Sequence, residues 1–176
     1  MKTALRSRRS ISQPLADSDV LKTLYPAHLH GADGYPLCSE FEVFSGSRIG
    51  KGIRTKVDFM RGTVMARFTG QLTSEILQHT LQVTPTSHVH DPYFIGLLSH
   101  SCAPNCLLDM THLELLALVD IPAGTRLTVD YALTEDTLFR QFPCDCGSGN
   151  CRGWITGRRE TVNEKGRKHL LRRAPK

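Results

Sequence analysis

The apolar positions of this chain fall into short β-type runs rather than long helical stripes. Phe41-Glu42-Val43-Phe44 alternates weakly, and Thr63 to Phe68 follows a turn at Arg61-Gly62. Leu113 to Val119 is an apolar run, broken only by Glu114, fit for a buried strand. Arg126 to Tyr131 is another, set off by the Pro122-Ala123-Gly124 turn. Helical signals are few. Ser74 to Leu81 is predicted as a helix capped by Thr73 or Ser74, with Ile76, Leu77 and Leu81 facing inward. Val20 to Tyr25 is expected to form a short helix with Ser18 as its N-cap. A last helix is expected from about Arg159 to Arg173, weakened by Gly166. Val83 to Asp91 reads as loop, because Pro85 and Pro92 punctuate it and histidines crowd it. Residues 1–38, interrupted by Pro14, Pro26 and Pro36, read as an irregular leader. The pattern predicts a mostly β protein: several small β-sheets with a few short helices.

The chain has 176 residues, enough for one domain with its own core. No run approaches the ~18 apolar residues of a membrane span. The basic N-terminus, Met1 to Ser10, lacks the apolar segment of a secretory signal. The protein is therefore expected to be intracellular, cytoplasmic if bacterial and nuclear if eukaryotic. There thiols stay reduced, and clustered cysteines mean metal more often than disulfide. The net charge of +5 is unevenly spread. Residues 1–9 and 158–176 carry twelve basic side chains against two acidic ones, which leaves the middle of the chain acidic by five. Solvated, frayed ends account for the tails, and weak contact with nucleic acid is the functional reading of the same charge. The acidic middle suits a basic peptide better than DNA.

The cysteines change the picture most. Cys144, Cys146 and Cys151 stand as C-x-C-x4-C, followed by Arg152-Gly153. That is three thiolates, one short of the four that a closed tetrahedral zinc site takes. Cys102 can supply the fourth, and Cys106, four residues on, competes with it. Cys38 is read as a free thiol. The segment from Phe142 to Ile155 has too few apolar residues to pack alone, so ligation of Zn2+ would give it a fixed place.

Five strings in order complete a resemblance. They are Gly50-Lys51-Gly52-Ile53, Phe68-Thr69-Gly70-Gln71, Ser99-His100-Ser101-Cys102-Ala103-Pro104-Asn105, Leu127-Thr128-Val129-Asp130-Tyr131, and Cys144 to Trp154. Together they resemble the SET-domain protein lysine methyltransferases, over roughly Phe41 to Ile155. Ser99 stands where the family usually has asparagine, Gly96-Leu97 where Arg-Phe is common, Gln71 for a common glutamate, and Val129 for an aromatic. No cysteine-rich segment precedes the match.

The resemblance implies a SET-domain fold at 39–141, a post-SET zinc segment at 142–157 and a basic tail at 158–176. It implies S-adenosylmethionine as methyl donor, bound by Gly50, Lys51 and Gly52 and by the backbone of Ser99 and His100. Trp154 would lie over the donor, with a core-packing role as its alternative. Tyr131 is the implied catalytic residue, and Phe68 and Val129 would line the lysine channel unless they are plain strand core. By resemblance Cys102, rather than Cys106, joins Cys144, Cys146 and Cys151 on the metal. His100 reads otherwise as a core histidine or a metal ligand. The expected activity is transfer of methyl groups to lysine side chains of a protein. The rival reading is a non-catalytic module that binds a basic peptide or a nucleic acid.

Overall fold

Phe41–Gly46 (β1) and Gly50–Thr55 (β2) form an antiparallel hairpin in which Phe41 faces Thr55 and Phe44 faces Gly52. The computed structural model describes residues 23–29, 34–46 and 50–173. Phe41 and Ile53 turn inward from the hairpin, and Phe41 stacks on Phe59 with ring centroids 5.4 Å apart. Val64–Arg67 (β3), Cys106–Asp109 (β8) and Glu114–Ala117 (β9) make a three-stranded sheet with β9 in the centre. Alternation decides its faces. Leu115 and Ala117 are buried, while Leu116 points the other way between Val64 and Leu107, both exposed. The run from Leu113 is therefore not a strand throughout. Leu113 has φ +54° and closes a turn in which the Asp109 carboxylate accepts the Thr111 and His112 N–H groups.

Gln71–Thr73 (β4), Thr80–Thr84 (β5) and Ser87–His90 (β6) form a second three-stranded sheet, with β6 in the middle. Two sequence expectations fail here. The helix predicted over Ser74 to Leu81 is a turn entering β5, with Ile76 and Leu77 exposed and His79 at φ +70°. The loop predicted over Val83 to Asp91 is the β5–β6 hairpin, its strands joined by Pro85-Thr86. Proline suits the first central position of a tight turn, so Pro85 ends a strand without preventing a hairpin. Leu81 and Val89 pair across it and enter the core.

Ser99–His100 (β7) pairs in parallel with Thr128–Val129 (β10), which brings two distant motifs side by side. Asn105 fastens them. Its side chain accepts from Thr128 N–H at 2.7 Å and donates to the Arg126 carbonyl at 2.8 Å. Tyr131 does not extend that strand; it opens a short helix, Tyr131–Thr134 (α1), capped by Asp130. Phe142–Pro143 (β11) pairs with Trp154–Ile155 (β12), and Glu164–Arg173 (α2) follows. The last helix thus begins five residues later than expected.

Both ends of the described chain belong to the fold. In the segment expected to be an irregular leader, Tyr25 is buried and donates to the Asp91 carboxylate at 2.7 Å. The expected helix over Val20 to Tyr25 lies partly outside the described residues. Within them Thr23 bridges Leu37, and only Ala27–Leu29 makes a single 3-10 turn. At the other end, α2 lies over β12 instead of fraying. A side-chain carbon at Gly166 would sit 2.5 Å from Trp154 Nε1, and the His169 ring lies 5.5 Å from the indole. No helix among the described residues is long and apolar enough to cross a membrane.

Candidate functional site

The sulfurs of Cys102, Cys144, Cys146 and Cys151 all lie within 4.8 Å of one another. A tetrahedral metal with Zn–S bonds of about 2.3 Å spaces its sulfurs by about 3.8 Å, and Cys102 and Cys144 stand 4.0 Å apart. The donor set fits zinc in number, softness and spacing. Cys106 is excluded from it: its thiol points to the Met65 sulfur at 3.9 Å, and burial pushes it up to about 12. Burial also pushes Cys144 up, whereas Ser148 and backbone hydrogen bonds hold Cys146 down to about 5 against burial. A bound metal would resolve that competition by taking every sulfur as thiolate. Cys38 is exposed and stands apart.

Cys102 is further served by N–H groups. The Arg152 backbone N–H and its Nε each lie 3.4 Å from Cys102 Sγ, and His100 Nε2 lies 3.5 Å away. Burial lowers His100 to about 4, so its ring is neutral at pH 7. Its Nδ1 accepts the Tyr131 backbone N–H at 3.3 Å. The proton therefore sits on Nε2, which donates to the sulfur. His100 thus borders the four-cysteine cluster through Cys102 and is not one of the four clustered groups.

Tyr131 shares this environment. Its hydroxyl donates to the Leu98 carbonyl at 2.5 Å, and its ring meets His100 at a tilt and Phe142 edge-on, at centroid distances of 5.4 and 5.9 Å. Burial, with the Glu135 charge adding to it, pushes the phenol up to about 12. A group so hard to ionise stays a neutral hydroxyl at pH 7.

The remaining candidates divide. Gly52 lies beside Ser99, whose Oγ would be 3.3 Å from an added side-chain carbon, while the Phe44 ring would be only 2.8 Å away. Gly50 adopts φ +69° and faces open space. The β1–β2 hairpin thus sets Gly52 against Ser99 and leaves Gly50 in the open. Phe68 and Val129 are both almost wholly buried in the main core. Trp154, expected over the donor or else packed in the core, lies beneath α2, and its Nε1 donates to Gln141 at 3.1 Å. The aromatic that the same segment places beside Tyr131 is Phe142, which the sequence reading missed because no motif contains it. A cleft of about 550 Å³ borders α1 at Leu133 and Thr134, with Gln82, Asp136 and Arg158 also on its wall; Tyr131 does not line it.

Gly96 also has a structural reason. A side chain there would strike the carbonyls of Asp91 and His79, and the Gly96 carbonyl meets His79 Nδ1 at 2.7 Å. The His79 turn occupies the space an arginine would need.

Residues 50–132 match the SET domain family model. The chain is 29% identical over 140 residues to the human histone-lysine N-methyltransferase described as H3 lysine-36 specific, a match covering 66% of this chain and 5% of that protein. It is 27% identical over 144 residues to the Drosophila melanogaster histone-lysine N-methyltransferase ash1, covering 69% of this chain and 6% of that one. The chain therefore spans only a small part of these relatives' length. Its fold superposes on the crystal structure of KRYPTONITE in complex with mCHG DNA and SAH, with TM-score 0.54 and 24% identity over 65% of this chain and 28% of that one.

Proposed function

We propose that this chain, whose residues 50–132 match the SET domain family model, is a SET-domain protein that transfers methyl groups from S-adenosylmethionine to lysine side chains of a protein. The observation that carries the reading is the junction of β7 and β10, where Tyr131, the Leu98 carbonyl, Ser99 and Gly52 come together beside a four-cysteine cluster. The donor supplies an electrophilic methyl on a positive sulfur. The Nζ–C bond forms as the S–C bond breaks, and the amine proton leaves to solvent.

A lysine ammonium must first become an amine, which at pH 7 costs about 4.6 kcal/mol from roughly 3.4 pK units. An apolar channel lowers that cost by disfavouring the charged form. The rest is alignment. The Tyr131 hydroxyl and the Leu98 carbonyl hold the amine and the methyl in line, partly through weak C–H···O contacts. The backbone of Ser99 and His100 and the turn at Gly50, Lys51 and Gly52 hold the donor. Val129 sits two residues before Tyr131, and its small side chain leaves room for an amine already methylated. Cys102, Cys144, Cys146 and Cys151 hold one zinc, which is structural: it fixes Phe142 against His100 and Tyr131.

The test is transfer of tritiated methyl from the donor to a mixed protein lysate. The expected result is labelling of protein that drops at least about 100-fold in Tyr131→Phe, with donor affinity unchanged within about threefold, as for a group acting in the transition state. Absence of label above that variant speaks for the rival module. The exposed Lys165, Arg167 and Arg172 of α2 give that rival its basis. Salt-dependent oligonucleotide binding without donor binding, measured by calorimetry, identifies it.

A further inference from the structure

We propose that Arg152 is a positioning residue that joins the metal-binding sulfur of Cys102 to the helix start presenting Tyr131. Its link to catalysis rests on the methyl-transfer reading above, whereas its link to the metal does not.

Three chain segments meet on this one side chain. The Arg152 backbone N–H and Nε each reach Cys102 Sγ at 3.4 Å, and Nη2 bonds Asp130 Oδ1. The same Asp130 oxygen accepts the Ala132 N–H at 3.0 Å and so caps α1. The Asp130 side chain is 10% exposed and that of Arg152 39%. The arginine is thus placed for its hydrogen bonds more than for packing. A planar guanidinium can serve a sulfur with one edge and a carboxylate with another, whereas a lysine ammonium offers one point of charge.

The consequence is a mechanical link. A thiolate bound to metal fixes the Arg152 fork, the fork fixes Asp130, and Asp130 fixes the first turn of α1, where the Tyr131 N–H also rests on His100. Partners of metal ligands commonly change metal affinity by about 10–100-fold when removed. The Cys151-Arg152 adjacency therefore places a metal ligand and the link to the active-site helix on consecutive residues.

The test uses the full chain and Co(II), whose thiolate charge-transfer absorption reports both affinity and ligand set. Arg152→Gln is expected to weaken Co(II) binding about 10-fold or more, with Arg152→Lys restoring only part of it. Asp130→Asn keeps a helix-capping side chain but removes the charge that holds the fork. It is expected to lower kcat for methyl transfer about 10-fold while the donor KM stays within about threefold. Lys168→Ala, on the exposed side of α2, should change neither readout. Circular dichroism at saturating Co(II) checks that each variant folds. Wild-type affinity and spectrum in Arg152→Gln would overturn the link to the metal. Weakened Co(II) binding with normal kcat in Asp130→Asn would overturn the link to Tyr131. If even the wild-type chain transfers no methyl while Arg152→Gln still binds Co(II) weakly, the activity reading fails and the metal link stands.

Discussion

Glu135 shows how a single buried charge ties stability to pH. It is 7% exposed, accepts the Gln82 N–H, and burial raises it from 4.5 to about 7, against the Gln82 bond and the Arg158 charge. A carboxyl raised on folding favours the folded state while protonated. That stability is full below pH 4.5 and is lost as the pH rises through 7, on the order of 3 kcal/mol at 1.36 kcal/mol per unit. Glu135→Gln keeps an oxygen for the Gln82 N–H and cannot ionise. Melting curves with zinc present should show the wild-type Tm falling relative to the variant between pH 5 and pH 8; parallel curves would refute the assignment. Val129 carries a second expectation. Under the methyl-transfer reading, Val129→Phe sets a larger ring at this buried position two residues before Tyr131, so mass spectra of products should shift towards monomethyllysine, with unchanged product distribution as the contrary result.

At the scale of elements, α2 reverses an ordinary rule. Glycine in a helix interior is usually about 1 kcal/mol worse than alanine. Here Gly166 lets the helix axis approach the Trp154 indole, and a methyl would sit 2.5 Å from Nε1. Gly166→Ala should therefore destabilise, by about 1–3 kcal/mol for an overpacked contact; a higher Tm in thermal unfolding would show that α2 is loosely held. The helix has a second fastening, since Arg173 Nη1 donates to the Cys144 carbonyl and to Asp145, each at 2.7 Å. The β5–β6 hairpin is the other instructive element. Its two strands are short and flank a proline, and the apolar residues before it mimic a helical period. Only pairing of Leu81 with Val89 across the turn distinguishes the outcomes.

For the molecule as a whole, the four-cysteine segment is fastened from several sides. Cys102 lies next to β7, Asn150 donates to the Cys102 carbonyl at 3.2 Å, and α2 covers the outer side. The larger core cluster, by contrast, contains Cys106 but none of the four clustered cysteines. Emission spectrometry is expected to find one zinc per chain. Chelation should weaken donor binding in calorimetry at temperatures where far-UV circular dichroism still reports the central sheets. Simultaneous loss of both signals would mean that the metal supports the entire fold rather than the site alone.

The order of the motifs, the mostly β character, the cysteine spacing and the candidacy of Tyr131 were determined by sequence alone. Each depends on residue identity at short range, or on strings whose spacing is itself the signal. The tertiary structure decided what distant segments do to one another. It turned Trp154 under α2 and brought Phe142 to Tyr131. It put Cys102 rather than Cys106 among the clustered sulfurs, made a hairpin of the expected loop, and hung Arg152 between a sulfur and a helix cap. Contacts of that kind leave no periodicity along the chain, because their energy depends on which surfaces meet after the backbone has folded.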